Sequence, residues 1–324
     1  MPYFDPDEAA LEEDTITLFS QLSYTTANCY REWHKGTSNL GRENQKQVIL
    51  TSQLHQALVQ LNPDLPPIAI DQAITEISKD RSTLSLGNAN REIYQLLKDG
   101  VKVSYREENE ETREETVTII NWQQPKANHF FLASQFWISG DFYHRRTDLL
   151  GFVNGIPLVF IELKNPKIAV SQAYEANFRD YLNTIPQLFH YNGLVILSNG
   201  SQAKLGTITS RWSYFSDWPK INSEGEAGRI SLETMIRGTC TPAKLLDLVE
   251  NFTLFKEEKG KVVKLIARNH QYLGVNNAVA AVANREENQG KLGVFWHTQG
   301  SGKSYSMQFL SQKVKRKLPG NWTF

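Results

Sequence analysis

Hydrophobic positions recur at helical spacing in the first fifth of the chain. Over residues 7–22, Leu11, Ile16, Phe19 and Leu22 fall roughly on one face, which predicts an amphipathic helix. A second run over 43–61 places Val48, Leu50, Leu54, Leu58 and Leu61 at the same period, and Pro63 stops it. Ile68 to Ile77 predicts a third helix. From about residue 100 the period falls to two. Val101, Val103 and Tyr105 alternate, and Val117, Ile119 and Ile120 return after Arg106–Glu115, whose six Glu and two Arg predict a solvated hairpin tip. Asn128–Gly140 is one β-prone run, and 144–164 predicts a hairpin turning on Asn154-Gly155. A helix is expected over about 170–183, then a buried strand at Gly193–Ser198, a Gly/Ser/Glu/Asn-rich connector at 219–232, and helices at 241–256 and 261–282. A short apolar strand, Gly293–Trp296, and a helix, Lys303–Lys317, complete the pattern. The strand–helix–strand order predicts a mixed α/β core.

Composition narrows the classes. At 324 residues about two domains are expected. Hydrophobic residues at 40% exclude wholesale disorder, and 35 basic against 35 acidic residues exclude a uniformly basic nucleic-acid coat, leaving local patches. Cys29 and Cys240 are too few for a disulfide framework or a four-cysteine zinc site and are read as packing thiols. The seven histidines show no metal-ligand spacing. No run of 18 apolar residues is present, and the acidic start (Asp5, Asp7, Glu8, Glu12, Glu13) lacks the form of a signal peptide. The expectation is a soluble, cytoplasmic protein. Its apolar end, Asn321–Phe324 after Pro319-Gly320, reads as entry into a strand, so the chain is expected to be a fragment of a longer one.

The most informative stretch is Arg145–Asn165, in which Asp148 precedes Glu162-Leu163-Lys164 by one hairpin length. Phosphodiester hydrolysis needs hard oxygen ligands for Mg²⁺ and gains from a nearby cation. Glu162 and Lys164, two apart on a strand, project from one face at the end of the apolar run Ile156–Ile161. Read alone, an acid-x-lysine pair marks only where a strand reaches solvent; Asp148 and the two arginines beside it change the balance.

Register decides whether the acids meet. A two-residue loop at Asn154-Gly155 makes paired residue numbers sum to 309 and puts Asp148 on the opposite face from Glu162. A three-residue loop, Val153-Asn154-Gly155 with Gly155 left-handed, gives 308 and unites them; a bulge nearer Asp148, or Asp148 off the ladder, achieves the same. A shared metal site therefore requires a register device between 148 and 162.

A second constellation is His297-Thr298-Gln299-Gly300-Ser301-Gly302-Lys303-Ser304, between the predicted strand 293–296 and the predicted helix 303–317. Gly300 and Gly302 let backbone wrap phosphate oxygens, the helix start presents free N–H groups, Lys303 reaches the β/γ-phosphates and Ser304 ligates Mg²⁺. His297 stands where the strict phosphate-loop pattern has Gly. The cations Lys313-Val-Lys-Arg-Lys317 suit a helix C-terminus, with a nucleic-acid patch as the alternative.

Asp148 with Glu162-Leu-Lys164 resembles the metal-dependent PD-(D/E)xK nuclease motif, with Thr147 where that family often has Pro. "TDLLGFVNGIPLVFIELKNP" (147–166) and "NTIPQLFHYNGLVILSNGSQAKLGT" (183–207) resemble the nuclease domain of the restriction subunit of type I restriction–modification enzymes, and the similarity extends over nearly the whole chain. "WHTQGSGKS" (296–304) resembles the first motor motif of the same subunits, which are superfamily-2 helicase-like translocases. The resemblance implies a PD-(D/E)xK restriction-endonuclease-like mixed sheet flanked by helices over 1–258, with a helical connector at about 219–258, followed over 259–324 by the start of a RecA-like P-loop motor. It implies that Asp148 and Glu162 bind Mg²⁺ and Lys164 assists the attacking water. Tyr181 is carried over as accessory; the family's glutamine four residues earlier is Asn177 here. An acid on the first helix is sometimes part of such sites, which makes Glu8 and Glu12, one turn apart, further candidates, Glu12 as the accessory candidate, with a solvated helix face as the plainer reading. Gln271 matches the adenine-recognising glutamine of such motors, although alone it is an ordinary helix-start polar residue. The implied ligands are double-stranded DNA, ATP in the full-length subunit and, through a methyltransferase subunit, S-adenosylmethionine; a specificity subunit supplies sequence recognition, so cutting here is expected to be sequence-nonspecific. With no acidic Walker B strand and no second RecA-like domain, this segment is expected to contact nucleotide without turning it over usefully. The rival reading is a non-catalytic assembly or DNA-binding module of an ATP-driven helicase.

Overall fold

The computed structural model describes residues 6–34, 36–106 and 111–324. Helix α1 (Pro6–Gln21) leads into β1 (Thr25–Asn28). Three helices follow, α2 (Thr51–Leu61), α3 (Pro67–Ser78) and α4 (Leu86–Asp99), and then the hairpin β2 (Val101–Arg106) and β3 (Thr112–Val117). Next come β4 (Phe130–Ser139), β5 (His144–Val153) and β6 (Ile156–Leu163). A π-helical stretch, Ala173–Phe178, runs into α5 (Arg179–Thr184) and the short α6 (Pro186–Phe189), followed by β7 (Leu194–Ser198) and β8 (Ala203–Gly206). The chain continues through α7 (Leu232–Thr239), α8 (Pro242–Asn251), the hairpin β9 (Thr253–Glu258) and β10 (Lys261–Ile266), α9 (Asn269–Ala283) and α10 (Lys303–Lys317). The tip of the Glu-rich hairpin, 107–110, lies outside the described residues.

Among the described residues the central sheet has six strands in the order β1-β4-β5-β6-β7-β8. β1 runs parallel to β4 and β6 parallel to β7, while the other neighbours are antiparallel. This is the mixed α/β sheet expected. Every residue of β6 is buried, including Glu162. A cluster of rings, among them Phe160, Phe178 and Phe189, packs Phe160 of β6 against the π-helical stretch and α6 at centroid spacings of 5.3–5.8 Å. Cys29 and Cys240 are buried free thiols, as expected for packing residues.

Several predicted elements shift for identifiable reasons. The helix expected over 43–61 begins only at Thr51. Asn44 Oδ1 accepts from the N–H groups of Lys46 and Gln47, and Leu50 N–H donates to Gly155, so local side-chain and long-range bonds take the donors a helix needs. α4 is not among the predicted helices although its sequence carries the signals of one, a Ser85 cap accepting from Asn88 N–H, Ile93 and Leu97 on the buried face and left-handed Gly100 at its end. Its buried Asn90 donates to the carbonyls of Phe189, His190 and Asn192. The helices expected at 241–256 and 261–282 are interrupted by the β9–β10 hairpin, which turns on Lys259 (φ 51°) and Gly260 (φ 73°). The strand expected at 293–296 pairs with nothing among the described residues and exposes Val294 and Trp296. No strand forms at 321–324 either.

The β5–β6 turn settles the register. Asn154 (φ 51°) and Gly155 (φ 78°) form a two-residue loop with Val153 facing Ile156, the left-handed pair such a turn demands. The three-residue loop is therefore not what forms. One step on, Phe152 faces Pro157 but Gly151 faces Val159, leaving Leu158 as an extra residue. Leu149 then faces Ile161, and the next step places Asp148 across from Glu162. A bulge in β6 is thus the register device. It sits beside a proline, which has no ladder donor to lose, and the bulged Leu158 carbonyl accepts from Gly193 N–H at 2.7 Å.

The turn is also tied to α2. A Cβ on Gly155 meets the Leu50 carbonyl at 2.5 Å and the Leu54 nitrogen at 2.9 Å. Gly155→Ala should cost about 2 kcal/mol or more through its positive φ and that overlap, read as a lowered urea midpoint; an unchanged midpoint would show that the turn does not fix this packing.

Candidate active site

β5, β6 and α1 converge on a cluster of carboxylates. Glu162 is 1% exposed near the end of β6. Its Oε1 accepts from Lys164 Nζ at 3.1 Å, while Oε2 is buried with no hydrogen-bond partner. Lys164 follows the last residue of β6 and stays on the ladder through its N–H to Ser198. Its ammonium also reaches the Leu163 carbonyl at 3.0 Å. Asp148 is half-buried on β5, and its Oδ2 accepts from Leu163 N–H at 2.8 Å. The sequence-predicted trio therefore comes together on one face.

The first helix joins it. Glu8 Oε2 accepts from Asn165 N–H at 3.0 Å, and Glu12 accepts from Gln135 Nε2. Both acids are half-exposed and bonded to the strands around Asp148, so this face of α1 is not simply solvated as the plainer reading had it: a lone helix with two acids one turn apart does not reveal which strand ends it covers. Gln135 carries no sequence signal. It lies in β4 opposite Asp148, with φ at 55° between the regular pairs Ser134–Leu149 and Phe136–Thr147. A left-handed non-glycine inside a strand costs energy and concentrates at functional sites; here it turns the amide onto Glu12.

Burial dominates the electrostatics. It pushes Glu162 well above the usual carboxylate range, Asp148 adds to the shift and Lys164 opposes it. Asp148 is raised to about 6 by burial, against the pull of Leu163 N–H and Lys164. Glu12 rises to about 7, through burial first and the Asp148 charge second. Burial works to lower Lys164, but Glu162 and Asp148 outweigh it and hold the ammonium charged. Tyr181 sits edge-on to Phe160 and donates from its hydroxyl to the Arg146 carbonyl at 3.1 Å. Burial and the nearby acids raise its phenol, and Asn177 hydrogen-bonds it. Tyr181 thus holds the strand that carries Asp148 rather than reaching the acids directly. Asn177 lies in the π-helical stretch, a feature frequent at functional sites.

The glycine-rich loop is remote in sequence and separately built. Gly300 (φ 80°) and Gly302 (φ 87°) are left-handed, and Gly302 caps α10. Thr298 and Gln299 are exposed, and Ser301 N–H bonds the Thr298 carbonyl. Lys303 and Ser304 are exposed at the start of α10, the Lys303 ammonium lying on the carbonyls of His297 (2.8 Å) and Thr298 (3.3 Å). Gln271 is buried: its Oε1 accepts from Arg268 N–H and its Nε2 donates to the Gly302 carbonyl at 3.0 Å. Both ends of that amide brace the loop. The cations at the end of α10 are also occupied, Lys313 by Asp247 at 2.6 Å and Lys317 by Glu250 at 2.7 Å. Lys315, Arg316 and Lys317 fall in the last turn of α10, as the helix-end reading expects, and the acids of α8 engage Lys313, Arg316 and Lys317 in place of a nucleic-acid patch.

Comparison with known proteins gives this geometry a family. Residues 5–214 match the model of the type I restriction enzyme R protein N terminus. The chain belongs to that family. Residues 270–324 match the SWI2/SNF2 ATPase model. The HindI endonuclease subunit of Haemophilus influenzae is 36% identical over 82% of this chain, covering 26% of its own length. The putative MjaIXP endonuclease subunit of Methanocaldococcus jannaschii is 26% identical over 98% of this chain, covering 32% of its length. The chain thus spans about a quarter to a third of these relatives. The R-protein family match covers β1 to β8 and both acidic strands, and the ATPase match begins just before Gln271. Among the described residues no helix is long and apolar enough to cross a membrane.

A raised folded-state pKa makes an acid's contribution greatest below its unfolded value and removes it as pH rises through the folded one. For Glu12 that window runs from 4.5 to about 7. In metal-free melts, wild type should therefore lose stability relative to Glu12→Gln as pH climbs from 4.5 to 7.5. A constant difference across that range would place Glu12 in solvent.

Proposed function

We propose that this segment is the Mg²⁺-dependent, sequence-nonspecific DNA endonuclease part of a type I restriction subunit, built on a PD-(D/E)xK fold and cutting after translocation by the attached motor. The observation that carries this reading is Glu162, a buried carboxylate with one oxygen unpartnered, facing Asp148 with Lys164 alongside. An orphaned buried acceptor is costly unless a ligand completes it. Among the described residues no three His, Cys, Asp or Glu side chains gather as a metal cage. Two carboxylates nonetheless fit Mg²⁺, which takes one or two protein acids and fills the rest of its shell with water and phosphate oxygen.

Asp148 and Glu162 would hold the ion, which when bound lowers the pKa of water and neutralises charge on phosphate. Lys164 keeps a cation at Glu162, placed to orient the attacking water or to stabilise the developing charge. Glu12, raised to about 7 by burial and then by the Asp148 charge, holds a proton close to neutral pH. Tyr181 positions Arg146 and so β5.

Residues 1–258 form the nuclease part, with the connector at about 219–258, and 259–324 begin the RecA-like motor; position 258/259 lies at the tip of the β9–β10 hairpin. The 297–304 loop binds the phosphates of ATP in the full-length subunit, with Gln271 bracing it. The partners are double-stranded DNA and the methyltransferase and specificity subunits, S-adenosylmethionine belonging to the former, in the cytoplasm.

In the full-length subunit with its partners, Glu162→Ala should reduce DNA cutting by a hundredfold or more, roughly the effect of losing a preorganised charge at a reacting centre, with ATP turnover nearly intact. Loss of ATPase activity in folded Glu162→Ala protein would break the two-part assignment. Lys303→Ala should abolish ATP hydrolysis by removing the cation at the β/γ-phosphates, and cutting should fall with it. ATPase at the wild-type rate would remove this loop from the nucleotide site.

A further inference from the structure

Beside the carboxylates lies a cavity of about 450 Å³ walled by Tyr30, Arg31, Trp33, His34, Trp137 and His144. No acid lines it among the described residues. Its position follows from the ladder. Trp137 is two residues along β4 from Gln135 and pairs with Arg146, which is two residues along β5 from Asp148. Two strand residues span about 7 Å. The Arg146 guanidinium stands 5.2 Å from the Tyr30 ring and 5.5 Å from the Trp137 ring. Its charge also acts on Asp148 and Glu12. One cation therefore borders both the cavity and the acids.

The wall is braced from behind. Buried Arg42 is paired with buried Glu32 and lies 3.9 Å from the Phe136 ring and 5.5 Å from the Trp33 ring. Trp137 Nε1 donates to the Tyr30 carbonyl at 3.3 Å, and the Tyr30 side of the cavity is open, that residue being 49% exposed. Trp33 Nε1 is buried with no hydrogen-bond partner, an unused donor on a cavity-lining residue.

We propose that this cavity receives an unstacked nucleobase of the DNA strand, next to the phosphate engaged by Asp148 and Glu162. Aromatic faces and an arginine plane accept any base by stacking, which suits a strand-binding site without sequence preference. Arg31 in the lining and Arg146 at its edge complement the phosphodiester backbone. A base paired within a duplex offers only its edge, so it must leave the stack to enter. The proposal rests on the nuclease reading for the identity of the strand, but binding and cutting are read in separate assays.

The test uses the chain itself in metal-free buffer, where nothing is cut. Fluorescence anisotropy compares a blunt duplex with the same duplex carrying a short unpaired tail that contains 2-aminopurine. Wild type should bind the tailed probe about tenfold more tightly, the scale of one stacked base, and should quench the tail fluorophore. Tyr30→Ala should erase that preference and the quenching, Tyr30→Phe should keep both, and the two variants should bind blunt duplex alike. Equal binding of both probes by wild type, or an undiminished tail preference in Tyr30→Ala, overturns the proposal. Equal loss of both probes in folded Tyr30→Ala also overturns it, since the residue would then act on duplex rather than on an unpaired base. Failure of the nuclease reading appears instead as Glu162→Ala protein that still cuts, whatever the tail assay returns.

Discussion

Keeping a carboxylate inside a fully buried strand is the constraint on which this structure turns. Glu162 ends an apolar run with essentially no exposure, and one of its oxygens has no partner. An isolated buried charge is expensive, so the surroundings must either neutralise it or complete it. Lys164 covers one oxygen, Asp148 pushes the pKa up and Leu163 N–H anchors Asp148 in turn. The result is a compact, mutually perturbed group of acids and one cation set into an otherwise apolar core.

Placing that group depends on one extra residue. A strict two-residue hairpin leaves Asp148 and Glu162 on opposite faces, and Leu158 bulging out of β6 restores them to one. The bulge is held by neighbours outside the acid cluster: Gly151 across the ladder, Pro157 beside it and the N–H of Gly193 just before β7. Gly155 docks the turn against α2, so the helical region is tied mechanically to the strands that bear the acids.

A second, independent construction ends the chain. Gln271 and His270 of α9 hold the carbonyls of Gly302 and Ser301, and α10 runs from that loop to the acids of α8 through Lys313 and Lys317. Both α9, through Tyr272 on Trp218 and Phe252, and α10, through Lys313 and Lys317, tie the glycine-rich loop to the chain before it.

The sequence by itself determined the local matters: the positions of most helices and strands, the Asn154-Gly155 turn, the three residues Asp148, Glu162 and Lys164, and the phosphate-loop pattern at 297–304. Each is written in spacing or in a residue's own conformational preference. Tertiary structure decided what depends on partners distant in the chain. It chose the bulge at Leu158 over a longer loop, because that choice rests on Gly193 and Gly151 packing around it. It bonded Glu8 and Glu12 to residues beside Asp148 and Glu162, because only the fold brings α1 over β4 and β6. It broke a predicted helix pair with the β9–β10 hairpin, whereas α4, with Ser85 and Gly100 at its ends, was written in the sequence. Gln135 and the Tyr30–Trp137 cavity left no mark in the sequence, since a left-handed glutamine and a stacked arginine are set by strand pairing and not by any neighbour along the chain.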